Sequence, residues 1–136
     1  MKSLQVLSLA TALIVTVSGC SNTIALLPDA SVPFAQGEID PSFEDNGNGE
    51  MTLKVEHLGE PNKLSADATV YVVWLQPKAE DAPIQNVGVL SIDDSYAGEL
   101  TFKTSFQSFQ VSVTPEAAAT VTKPEGKAVL TGNVAK

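Results

Sequence analysis

The sequence predicts an all-β protein, an antiparallel β-sandwich, and three observations predict it. Residues 70–75 are six consecutive bulky apolar side chains, most of them β-branched or aromatic. A strand of this kind is apolar on both faces and must be covered on both sides. Elsewhere, short segments alternate apolar and polar residues between closely spaced turn signals. After the first 20 residues, no stretch of ten or more shows helical periodicity.

The elements follow in order. Residues 1–19 stand apart as a signal-peptide helix. Lys2 is a short positive n-region, residues 4–17 are mostly apolar, and the small residues Ser18 and Gly19 precede Cys20. The segment is too short and wrongly flanked for a spanning helix. The run Val17-Ser18-Gly19-Cys20 resembles the lipobox of bacterial lipoproteins. The resemblance implies cleavage before Cys20, a diacylglycerol thioether on its sulfur and an acyl chain on its new N-terminus. The alternative is an ordinary signal peptide with an incidental cysteine. Against it, Cys20 is the single cysteine of the chain, so no disulfide framework competes for it. Ser21 stands where an Asp in that family marks retention at the inner membrane. In a cell with two membranes this places the protein at the outer one, facing periplasm or surface.

Residues 20–36 contain Pro28 and Pro33 and show no clean period, which reads as a lipid-anchored tether. The domain itself is expected over residues 37–134. Its first strand is residues 38–43, interrupted by Pro41. The Asn-Gly repeats in residues 44–50 then signal a hairpin turn. Met51, Leu53 and Val55 alternate with Thr52, Lys54 and Glu56 as a half-buried strand. The central strand is residues 69–75, ended by Pro77. A polar loop leads to a strand at residues 85–92, where Gly88 marks a bulge or a close backbone approach. Asp93-Asp94-Ser95 makes a turn. Leu100 and Phe102 alternate in the next strand, and Phe109, Val111 and Val113 in another that Pro115 ends. Residues 116–121 read as one helical turn or a loop, and residues 127–134 as the last strand.

Charge narrows the function. Lys2 is one of eight basic residues, so seven remain after it against sixteen Asp and Glu, a side-chain balance of −9. Clustered Lys and Arg are what phosphate backbones require, so nucleic acid is excluded as a partner. Scattered lysines also make no polybasic membrane patch.

The chemistry-bearing inventory is thin. His57 is the sole histidine, and it reads as a strand-end residue. With no second His and no free thiol, no transition-metal site and no cofactor are expected. The acidic loop 44–50 resembles a calcium loop. It departs from the EF-hand pattern, with Glu44 in place of Asp and Val55 in place of the bidentate Glu. Calcium there stays open beside the hairpin reading. No nucleophile-elbow motif is present, so no catalytic residues are assigned. Trp74, Tyr71, Phe102, Phe106 and Phe109 are read as core before they are read as a sugar-stacking surface, with Trp74 expected to face the opposite sheet and to give its indole N–H to a backbone carbonyl.

From the central strand onward the chain resembles a known family. Tyr71-Val72-Val73-Trp74-Leu75, Gly88-Val89-Leu90, Gly98-Glu99-Leu100-Thr101-Phe102, residues 109–116 and residues 124–132 follow its pattern in order. The pattern is that of the extracytoplasmic C-terminal domain of anti-sigma-K factors. The resemblance implies an immunoglobulin-like sandwich of about seven strands. That family's helical sigma-binding domain and membrane helix have no counterpart in residues 1–136, and a chain exported behind Cys20 does not meet a cytoplasmic sigma factor. The expectation is a non-enzymatic binding or sensory module of the envelope. It is held to the membrane by lipid on Cys20, with an envelope protein as partner. A structural spacer is the alternative, and a small hydrolase a distant third.

Overall fold

The computed structural model describes residues 22–136. The signal-peptide segment and Cys20 lie outside the described residues. Eight antiparallel strands form one sheet in the order β5-β4-β7-β8-β1-β2-β3-β6. They are β1 (Ile24–Pro28), β2 (Gln36–Phe43), β3 (Gly49–Glu56), β4 (Val70–Pro77), β5 (Gln85–Leu90), β6 (Gly98–Thr104), β7 (Ser108–Glu116) and β8 (Leu130–Ala135). The sheet curls until its edges β5 and β6 approach, so the molecule is nearly barrel-like. An added Cβ on Gly88 of β5 would stand 3.3 Å from Leu100 Cδ1 of β6.

The alternation in β3 does what the pattern predicts. Met51, Leu53 and Val55 are buried, while Glu50, Lys54 and Glu56 face water. Tyr71, Val73 and Leu75 of β4 join them from across the core, with Phe109, Val111 and Val113 of β7. Side chains of this size each stabilise the fold by about 1.5–3 kcal/mol when fully buried.

Four expectations are corrected. The described residues hold eight strands, because Ile24–Pro28, inside the stretch read as tether, is a strand. Ile24 to Leu26 pair with β2, then Leu27 and Pro28 pair with β8. β1 therefore joins the two halves of the sheet, and Leu26 is buried in the core. Second, Pro41 does not break β2. It pairs with Met51 of β3 beyond the point where β1 stops, so its missing N–H costs no ladder on that side. Third, Pro115 does not end β7, which continues to Glu116 with Pro115 opposite Tyr71. Fourth, β8 begins at Leu130, later than the turn chemistry indicates. The bulge expected at Gly88 is present as a register shift between Val73 and Trp74.

The two ends of the barrel differ. Ile24, residues 44–48, residues 105–107 and Ala135 lie at the end where the chain enters. Residues 29–35, 57–69, 91–97 and 117–129 cluster at the far end.

Candidate functional site

Trp74 is fully buried, yet on the other face of β4 from the core. Strand parity puts Val72 and Trp74 beside Thr114 and Ser112, their partners on β7. The indole N–H donates to Thr114 Oγ1 at 2.8 Å, where a backbone carbonyl was expected. The Thr114 hydroxyl donates in turn to Glu116 Oε2 at 2.5 Å. Glu116 is only 2% exposed. Its oxygens also accept the backbone N–H groups of Glu125 and Gly126 at 3.0–3.2 Å. These bonds fold residues 117–129 over the outer face of β4 and β7. Asn86 Nδ2 of β5 holds the same loop by donating to the carbonyls of Ala119 and Val121, both at 2.9 Å. Gly126 sits so close that an added Cβ would be 2.0 Å from the Pro115 carbonyl oxygen.

A buried carboxylate is costly unless its oxygens are bonded. Here one hydroxyl and two N–H groups supply that. The arrangement fastens a loop, and no substrate-accessible proton acceptor results.

The far end of the barrel carries an open cleft of about 480 Å³. Glu60, Pro61 and Asn62 form one wall, with the start of β4 and the end of β5 opposite. Tyr71 braces it from beneath by donating its hydroxyl proton to the Gly59 carbonyl at 2.5 Å. Burial pushes the Tyr71 phenol up to about 12.

Tyr96, 52% exposed, lies in the loop of residues 91–97 at the same end of the barrel, outside the lining of the cleft. Two loops of the molecule have one geometry. In the first, Glu44 N–H donates to Asn48 O and Gly47 N–H donates back to Glu44 O. In the second, Asp93 N–H donates to Ala97 O and Tyr96 N–H donates back to Asp93 O. The fourth position is left-handed in both, with φ +88° at Gly47 and φ +62° at Tyr96. Glycine enters that region freely, whereas a Tyr there is strained by roughly 1–2 kcal/mol. His57, also left-handed at φ +57°, adjoins it, because Leu58 N–H donates to Tyr96 O.

The Asp93 turn is built on its carboxylate. The Ser95 hydroxyl, then the Ala97 and Ser95 N–H groups, hold the Asp93 carboxyl below its ordinary value. At the same end, the Ser31 hydroxyl and N–H, with Lys127 Nζ at 3.2 Å, pull the Asp29 carboxyl down to about 2.

The sequence-derived candidates separate clearly. Cys20, the one assigned site residue, lies outside the described residues. His57 is exposed just past the end of β3. Residues 44–50 form the hairpin, and Glu50 lies 3.9 Å from Lys103 Nζ. Among the described residues no group of three or more His, Cys, Asp or Glu is placed to hold a metal ion. Trp74, Tyr71, Phe102 and Phe109 are buried, which removes them as a stacking surface. Among the described residues the exposed large apolar side chains are Leu27, Phe34 and Tyr96. Among the described residues no helix is long and apolar enough to cross a membrane.

No protein-family model matches the chain, and no curated protein matches it.

Proposed function

We propose that this chain is a lipid-anchored protein of the bacterial cell envelope whose domain is a non-enzymatic binding module. The anchor reading is supported by the Val17-Ser18-Gly19-Cys20 run behind an apolar segment. Two or more acyl chains on Cys20, at about 0.8 kcal/mol per buried CH₂, make a stable anchor where one would not. The pairing of β3 with β6 and of β4 with β7, each skipping intervening strands, supports a Greek-key sandwich of immunoglobulin type. It also accords with the resemblance to the anti-sigma-K extracytoplasmic domain.

The observation that carries the binding reading is the cleft at the far end of the barrel, with Tyr96 exposed in a loop at the same end. Its volume falls within the range of ligand clefts. A purely structural spacer has no need of an aromatic held in a strained backbone at an exposed tip. The partner is another envelope protein.

The test is photo-crosslinking in intact envelopes. A photoreactive residue at Asn62, on the cleft wall, should capture a discrete adduct. The same residue at Lys54, on the charged outer face of β3, should not. Equal or absent capture at both positions returns the protein to the spacer reading.

A further inference from the structure

The outer surface of the barrel is divided by charge. On β2, β3 and β6 the outward residues include Glu38, Asp40, Lys54, Glu56, Glu99 and Lys103. On β1, β8 and β7 the outward residues are Ala25 and Leu27, Thr131 and Asn133, and Ser112 and Gln110. None of these six is charged. The loop at 117–122 continues the uncharged surface, and the Glu116 carboxylate beneath it is buried.

Large apolar side chains stand in water on this face and in the loop at its far end. Leu27 on β1 is 71% exposed, and Phe34, in the loop from β1 to β2, is 82% exposed. Lys123 and Lys127 border its far end, with Asp29 and Glu125 among them, while Lys136 Nζ at the other end lies 5.9 Å from the centre of the Phe43 ring of β2. Asp29 is paired with Lys127.

The chain enters the described fold at β1, one of the strands of this face. Three residues separate Cys20 from Ile24. At about 3.3–3.6 Å per residue, β1 begins within roughly 14 Å of residue 20. A domain so closely leashed cannot stand well clear of the surface that holds Cys20.

We propose that the uncharged face of β1, β8 and β7 lies against the lipid bilayer, with Leu27 and Phe34 entering its interface and the bordering lysines among the headgroups. The inference rests on the lipid-anchor reading and adds an orientation to it. Aromatic and aliphatic side chains at headgroup depth, beside lysines, are the chemistry of such contacts. The charged face of β2, β3 and β6 then points to water, and a domain lying on β1, β8 and β7 leaves the cleft edge along β5 open.

Two lysines provide a matched pair for the test. Lys127 borders the uncharged face and Lys103 lies on the charged one. Each side chain is 77% exposed and each is in an ion pair. The full-length protein is placed on vesicles of phosphatidylethanolamine and phosphatidylglycerol and treated with a bulky, membrane-impermeant amine reagent. Modification at Lys127 relative to Lys103 should fall several-fold compared with the soluble Cys20→Ser protein. The double variant Leu27→Ser with Phe34→Ser, both at exposed positions, should stay anchored yet recover the soluble ratio. An unchanged ratio, or protection of Lys103, overturns the proposal. Intact mass separates the two readings. If Cys20 is unmodified, lipidation fails, and the Cys20 thiol is coupled to maleimide-bearing lipid so that the same ratio still decides the face.

Discussion

The single tryptophan donates its indole proton to Thr114 Oγ1 at 2.8 Å, and Thr114 passes its own hydroxyl proton to the Glu116 carboxylate. Thr114→Val therefore strands a buried N–H and removes a donor from a buried carboxylate. The expected cost is about 1–3 kcal/mol. Chemical denaturation should show a lower midpoint with an unchanged slope. A variant as stable as the parent would mean that water replaces the hydroxyl.

Gly126→Ala tests the loop that covers Trp74. The new methyl would meet the Pro115 carbonyl oxygen at 2.0 Å, so the loop must shift. The expected loss is about 1–3 kcal/mol. Trp74 emission should move to the red and acrylamide should quench it more readily, because the loop is its cover. Destabilisation without any change in emission would show that Trp74 is buried by something other than residues 117–129.

Tyr96→Asn tests the strained tip. Asn tolerates the left-handed region without the unfolded-state entropy of glycine. The variant should be more stable by about 0.5–1 kcal/mol, read by thermal melting, while capture from Asn62 weakens. A gain in stability with capture intact would separate Tyr96 from binding.

Acid should loosen the far end of the barrel first. The Asp29 carboxyl is held near 2, below its ordinary 3.8, so the fold favours its ionised form. Its contribution is present in full above the ordinary value and is lost as pH falls through about 2. Asp93 is shifted in the same direction and follows the same sign. Amide exchange in residues 29–35 and 91–97 should quicken below pH 4 before that of β3 and β7. Simultaneous loss everywhere would show that these two turns do not lead the transition.

Much of this architecture was legible in the residues, and its limits are physical. The alternation in β3 and β7 exposes their inner faces directly. In β4 it could not, because Val72 and Trp74 are as apolar as Tyr71, Val73 and Leu75. Pattern therefore gave the burial of Trp74 and misplaced its direction, toward the opposite sheet. That direction is decided by Glu116, Asn86 and Gly126, remote in sequence, which draw residues 117–129 over the outer face. β1 was hidden because Leu26 is its one buried side chain, Pro28 ends it and Pro33 follows. The cleft was hidden because its walls come from three separate segments, and Tyr96 because tyrosine is no turn residue. A Thr-x-Glu spacing at the end of an apolar strand was the one available hint of the buried carboxylate.

The anchor carries the rest of the account, because both the leash to β1 and the membrane-facing side depend on it. Intact-mass analysis of the protein extracted from membranes tests it most directly. The account predicts a chain beginning at Cys20 and heavier than the bare polypeptide by a diacylglycerol and an acyl group. A mass matching an unmodified Cys20, or a chain cleaved elsewhere, would contradict it.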